Sequence, residues 1–289
     1  MLFRIRHVLR YTYERPVFLE PTTLRLTPRQ DAMQKVLSHE LRVLPRPAGE
    51  TRVLEADGNE AVVLWFDEPR DALTVEVDME VETLRHNPFD WIVTHGPAMT
   101  LPVAYPELEH RSLAGCLDPQ GVAPDVAAWA ADQAAAVGGG ATDFLVHLAA
   151  TIHREFHHIG RPDGEALPPS QTLALRSGAC RDTALLYVAA CRSQGLAARF
   201  VSGYSMHHPP EVSEHELHAW AEVYVPGGGW RGYDPSLGLA VADGHVVLAA
   251  APDPRLAAPF SGHYRGTGVG SQFVYQVELH AVDATSHDW

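Results

Sequence analysis

Apolar and polar positions alternate strictly along several stretches of the chain, and the period changes from two to about 3.6 near its middle. Leu73, Val75, Val77, Met79 and Val81 alternate with Thr74, Glu76, Asp78, Glu80 and Glu82. That pattern predicts a strand over 72–84 with one core face and one acidic, solvated face. Alternation around Ile5, His7 and Leu9, followed by Tyr11-Thr12-Tyr13, predicts a strand over 3–13, and Pro16 and Pro21 confine any continuation to an edge or loop. Shorter strands are predicted over 24–27, 39–44 and 61–66, the last entered through the tight turn Asp57-Gly58-Asn59. Helical spacing begins at residue 124. Pro124 suits the first position of a helix that runs to Val137 and ends at Gly138-Gly139-Gly140. A second helix over 144–156 places Leu145, Leu148, Ala149 and Ile152 on one face, with Thr142 or Asp143 as its cap.

A short helix over 171–176 leads into Ser177-Gly178-Ala179, three small residues that let the backbone turn sharply. Ala184, Leu185, Val188 and Ala189 then recur at helical spacing, so Cys180 falls in the first turn of a helix closed near Gly195, with Arg192 in its last turn. Ala198 to Tyr204 reads as a strand. Leu217 to Val225 alternates, with Leu217, Ala219, Ala221, Val223 and Val225 on one face and His218, Trp220, Glu222 and Tyr224 on the other, read as an exposed or cleft-lining face. Pro226 to Gly229 is a turn, Trp230 to Tyr233 the return strand, and Asp234-Pro235 its end. Further strands are predicted over 245–250 and 272–282. The expected fold is α+β: a β-sandwich-like domain over 1–85, a proline-rich linker over 86–123 packed between domains, and a core over 124–289 in which a cysteine-bearing helix packs on an antiparallel sheet.

Cys180, His218 and Asp234 each have an ordinary structural reading: a buried thiol, a hydrogen-bonded core histidine, a turn residue before proline. Taken together, in this order and on these elements, they are the residue types of a thiol-nucleophile site. The unpaired N–H groups and macrodipole at a helix start favour a thiolate at Cys180, and the Cys180 backbone N–H is placed to receive an oxyanion. The hairpin, centred on Pro226, returns Asp234 towards His218, where a carboxylate orients an imidazole and stabilises its charged form. Trp220, two residues on from the histidine, is expected to wall the site and touch substrate.

Composition narrows the setting. The 289 residues carry a formal net charge of −14, which argues against a nucleic-acid or anionic-membrane partner. The three cysteines, Cys116, Cys180 and Cys191, include no CxxC pair and read as reduced thiols, with Cys191 as a core residue. With no secretory h-region and no run of 18 apolar residues, the expected location is cytoplasmic and not in a membrane. His153 and His157 stand at metal-ligand spacing, but Arg154 occupies the place where HExxH carries glutamate, so His153, His157 and His158 are read as solvated or loop-anchoring. Ser205 to Glu216, with His207, His208 and His215, is read as a rim over the cleft. No metal and no cofactor is expected, and exposed strand edges leave room for a homo-oligomer without specifying one.

GACRD, RFVSGY, HAWAEVYVPGGGW and YDP together resemble the bacterial transglutaminase-like family, described as cysteine proteases, and RHVLRYTYERPV, RLTPR and DGNEAVVLWF are similar to the β-rich domain that precedes the core in that family. The resemblance covers nearly the whole chain. It implies Cys180 as nucleophile, His218 as base and Asp234 as orienting acid, acting on a peptide or protein substrate. The expectation is a thiol-dependent acyl-transfer enzyme, most simply a hydrolase of peptide, isopeptide or side-chain amide bonds. A protein-glutamine transglutaminase, a non-catalytic peptide- or glycan-binding module and a metal-dependent hydrolase are the alternatives.

Overall fold

A computed structural model describes residues 1–161, 164–207 and 217–283. The first third is all strand: β1 (Leu2–Leu19), β2 (Thr22–Leu24), β3 (Gln34–Leu44), β4 (Gly49–Leu54), β5 (Glu60–Trp65) and β6 (Arg70–Thr83). Two short helices, α1 (Glu107–Ser112) and α2 (Ala114–Leu117), punctuate the proline-rich stretch. Then come α3 (Pro124–Ala136), α4 (Ala141–Glu155), β7 (His157–His158), α5 (Pro169–Leu175), β8 (Ser177–Gly178) and α6 (Cys180–Ser193). The chain closes with β9 (Ala198–Ser205), β10 (His218–Val225), β11 (Gly229–Asp234), β12 (Leu239–Ala240), β13 (His245–Ala251), β14 (Phe260–Ser261), β15 (Tyr264–Arg265) and β16 (Ser271–Val282).

The amino-terminal strands form two packed antiparallel sheets. One has the order β15-β1-β6-β3 with β16 also on β1, and the other β14-β2-β5-β4. Alternation decides what lies between them: Phe3, Ile5, Leu9, Leu73, Val75, Val77 and Val81 from the first sheet meet Leu24, Val62 and Leu64 from the second. The outward acidic residues of β6 face arginines of β1, with Arg4 donating to Glu80 at 2.6 Å and Arg6 to Asp78 at 3.1 Å. β1 continues through Pro16 as far as Leu19, beyond the predicted end, because the pairing with β6 is irregular between Thr12 and Val17 and asks for no N–H there.

The second layer system is a mixed core. Helix α6 lies against the antiparallel sheet β12-β11-β10-β9-β13, with Leu186, Val188 and Ala190 buried among Ala198, Ala221, Val223 and Val225. Helices α3 and α4 close the far side through Trp129, Phe144, Leu145 and Leu148.

Two expectations need correction here. The final strand, assigned above to the core region 124–289, pairs along its whole length with β1, from Tyr13 opposite Ser271 to Leu2 opposite Val282. Alternation defines a strand's faces, not its partner, and the polypeptide after β13 returns to the first sheet. The His218–Trp220–Glu222 face of β10 does not open on solvent either. All three residues are largely buried, with Glu222 meeting Arg29 from the amino-terminal module as well as Arg199 from β9, and only His218 at the strand's start borders a cavity.

The two modules share packing and polar contacts along β13, the edge strand of the core sheet. The side-chain amide of Gln34 donates to Val247 O at 2.9 Å and accepts from Val247 N at 2.8 Å. Asn59 does the same at Ala250, at 3.0 and 2.9 Å. These two amides satisfy backbone groups that an edge strand would otherwise leave open.

Candidate active site

The turn before α6 is built for close approach. A Cβ added at Gly178 would lie 2.8 Å from Asp182 Cβ, so only glycine fits there. Asp182, fully buried in the first turn, takes the Ala179 N–H at 2.8 Å on Oδ2. Its Oδ1 accepts from Leu167 N at 2.8 Å and from Arg161 at 2.6 Å. Ala179 offers no side-chain acceptor, so this is half of a capping box, and the same carboxylate ties Arg161 and Leu167 to the helix start. Cys180 is the first helical residue and half-buried; its N–H belongs to the orphan donors of a helix terminus, as an oxyanion donor requires.

His218 opens β10 and Asp234 ends β11. The hairpin pairs Ala221 with Tyr233 through Val225 with Gly229, so it centres on Gly227, one residue beyond the expected Pro226. His218 Nε2 donates to Asp234 Oδ2 at 2.6 Å. The other ring nitrogen, Nδ1, is thereby left for the Cys180 thiol, which hydrogen bonds His218. The three residues singled out in the sequence therefore meet in one linked chain. Burial alone would push His218 down, but Asp234, and Cys180 after it, outweigh that and bring the imidazole up to about 10. Asp234, buried but facing His218 and His245, stays well below the ordinary carboxylate range.

Asp234 is held by more than His218. Oδ1 accepts from Ser236 N (2.9 Å), Ser236 Oγ (2.7 Å) and Leu237 N (3.2 Å). Oδ2 accepts a second imidazole N–H, from His245 Nε2 at 3.0 Å. Sequence reasoning missed His245 and Asp182. An aspartate at the third position of a helix is a legible capping signal. A histidine at the start of an apolar strand carries no such signal, since only the tertiary fold brings the start of β13 within reach of Asp234.

His218, Asp234 and His245 also converge closely enough to raise a metal reading. The spacing answers it. Two ligands at about 2.0–2.2 Å from one tetrahedral ion stand roughly 3.3 Å apart, whereas His218 Nε2 and Asp234 Oδ2 are 2.6 Å apart, a charge-assisted hydrogen bond. The other histidine cluster anchors backbone instead: His153 Nδ1 donates to Ser236 O at 2.8 Å, and His158 Nε2 pairs with His153 O at 3.3 Å.

Cys180 and His218 open on a cavity of about 1190 Å³ between the core and the amino-terminal sheet. Arg161, Arg181, Glu165, Asp118 and Asp253 line it on the core side, and Tyr11, Tyr13, Phe260, Phe273 and Tyr275 on the other. Tyr11 stacks between Phe260 and Phe273, with ring centroids 4.8 and 4.6 Å away. Trp220, expected to touch substrate, does not line this cavity. It is fully buried deeper along the same face of β10, its ring 6.1 Å from His218 and 5.0 Å from His245. Strand alternation from a histidine at the rim carries the next side chain on that face inward. Residues 208–216, most of the expected rim, lie outside the described residues.

A helix-borne thiol faces an imidazole–carboxylate pair on an antiparallel sheet, and comparison with known proteins matches two regions of the chain. Residues 3–82 match the bacterial transglutaminase-like N-terminal region, and residues 128–235 match the transglutaminase-like superfamily. Residues 128–235 thus belong to the transglutaminase-like superfamily, with the bacterial N-terminal region ahead of that core. Among curated relatives, the uncharacterized protein Rv2569c of Mycobacterium tuberculosis is 27% identical over 274 residues, 90% of this chain and 86% of that protein. The uncharacterized protein ML0607 of Mycobacterium leprae is 25% identical over 277 residues, 92% and 94% of the two chains. The crystal structure of a candidate cysteine protease from Cytophaga hutchinsonii superposes with a TM-score of 0.76 at 21% identity, covering 98% of this chain and 91% of that one. At that identity the likeness establishes the fold.

Proposed function

We propose that the chain is a thiol-dependent acyl-transfer enzyme that acts on a peptide, isopeptide or side-chain amide, with water as the usual second nucleophile. The observation that carries this reading is the linked chain of Cys180 thiol, His218 imidazole and Asp234 carboxylate at the wall of a large cavity. The Cys180 thiolate attacks the amide carbon, and the Cys180 N–H takes up part of the charge that develops on its oxygen. His218, charged at the start, gives its Nδ1 proton to the departing amine as the C–N bond breaks and a thioester forms. Water then attacks the thioester and returns a proton to His218, and the thiolate leaves. Asp234 orients the ring throughout and is not itself protonated. Three free cysteines support a reducing, cytoplasmic setting for such a thiol.

A second reading has support of its own. Asp118 and Glu165 line the same cavity, and a carboxylate is what a lysine amine would need to reach the thioester ahead of water. Incubation with peptides containing glutamine and lysine, followed by mass analysis, separates the two. Chain fragments or deamidated glutamine mean hydrolysis, and peptide–peptide adducts mean transfer. Absence of every product, or products that persist in Cys180→Ala, would refute the thiol mechanism.

A further inference from the structure

We infer that His245 is a positioning residue for the Asp234–His218 pair: it donates its Nε2–H to Asp234 Oδ2 and fixes that oxygen independently of His218. The inference rests on the thiol reading proposed above and adds a residue that the triad does not contain.

The protonation pattern follows from the partners. Asp234 is ionised and can only accept, so both nitrogens that face Oδ2 must carry protons. Among the described residues, the titratable groups that act on His245 are Asp234, His218 and His207. Burial pushes His245 down, and the charge on His218 pushes the same way, against Asp234. His245 is thus the neutral Nε2–H tautomer beside a charged His218. Its Nδ1 is buried and has no hydrogen-bond partner among the described residues. A leucine would fill the same space without leaving a ring nitrogen unmet. What the imidazole supplies instead is the single donated hydrogen bond.

That bond closes a geometric gap. Ser236 and Leu237 hold Oδ1, which fixes one corner of the carboxylate. With His218 as the only partner of Oδ2, the second corner would be held by the very group it is meant to orient. His245 supplies an outside anchor, so the carboxylate plane is set before His218 is considered. The anchor itself is well held. β13 pairs with β9, His245 standing opposite Ser205, while Gln34 grips the strand's outer edge at Val247. Thr83 Oγ donates to Asp243 O at 2.7 Å just before the strand begins. The amino-terminal module thereby supports the site from behind.

The test is the ultraviolet thiolate absorbance of Cys180 as a function of pH, taken as the difference from Cys180→Ser in the same background. It is measured for the wild type and for His245→Leu, His245→Gln and His245→Asn. Glutamine places an amide N–H near the position of histidine Nε2, whereas asparagine falls short and leucine donates nothing. The expected result is a thiolate midpoint raised by about one pH unit, roughly tenfold in the pair's formation, in the leucine and asparagine variants. The glutamine variant should stay near the wild type. A leucine variant that folds and keeps the wild-type midpoint overturns the inference. If leucine prevents folding, equal midpoints for asparagine and glutamine overturn it. If the wild type shows no thiolate below the ordinary thiol range, it is the thiolate–imidazolium reading that fails. The inference is then decided by the far-downfield proton resonance of the His218 Nε2–H bonded to Asp234: loss of that signal in the leucine or asparagine variant upholds it, and its retention overturns it.

Discussion

Replacing Glu222 should remove a large, pH-dependent share of stability. Its carboxylate is 7% exposed and lies between two guanidiniums. Arg29 donates to Oε1 at 2.7 Å, and Arg199 stands 2.6 Å from Oε2 and 3.9 Å above the Trp230 ring. Burial works to raise its pKa, but Arg29 and Arg199 together pull it from 4.5 to about 2. At about 1.4 kcal/mol per unit, that shift corresponds to about 3 kcal/mol of stability. The folded pKa lies below the unfolded one, so this contribution is complete above pH 4.5 and is lost as pH falls through about 2. Glu222→Gln leaves both arginines buried beside a neutral amide, and breaking a buried pair in this way costs roughly 3–5 kcal/mol at neutral pH. The assay is urea unfolding of both proteins at pH 7, 4.5 and 2.5. The gap between them should be widest at pH 7 and 4.5 and shrink towards zero at the lowest pH. A gap under about 0.5 kcal/mol at pH 7, or one that does not change with pH, would refute the reasoning.

Three more outcomes follow from single contacts. His7, buried on β1 with its Nδ1 2.8 Å from Tyr204 Oη, is pushed by burial down to about 4. It is neutral in the fold, so it contributes stability above pH 6.5 that is lost as pH falls through about 4, roughly 3 kcal/mol in all; His7→Phe should flatten the stability profile in that window, as read by thermal melting at a series of pH values. Asp182→Ala strips acceptors from the Ala179 and Leu167 N–H groups and from Arg161, and should cost about 3 kcal/mol and slow Cys180 labelling at pH 6 through a loosened helix start. Gly203→Ala puts a Cβ 2.0 Å from Val246 O and 2.7 Å from the Trp220 ring, and should cost more than about 2 kcal/mol by chemical denaturation.

Much of this structure is legible in the sequence where the information is local. The β6 alternation defines a core face and a charged face, and both are as predicted, because period two has one geometric meaning. The small residues before Cys180 and the apolar spacing after it place the thiol at a helix start. What stays hidden is long-range. The polar face of β10 is buried because Glu222 is met by Arg29, 193 residues away in the chain, and no local pattern announces such a pairing. The same face carries Trp220 inward, behind the site. His245 depends on β13 joining the sheet next to β9, across from the hairpin that holds Asp234. The return of β16 to β1 is decided by a free sheet edge a whole chain length away.

The central claim is that Cys180 and His218 form a thiolate–imidazolium pair supported by Asp234. Its most direct test is the rate of Cys180 alkylation by iodoacetamide across pH, read by peptide mass, for the wild type and His218→Ala. The account predicts fast labelling of the wild type well below the free-thiol pKa of about 8.5, and loss of that advantage in His218→Ala. Wild-type labelling that rises only near the ordinary thiol range, unchanged by His218→Ala, would contradict it.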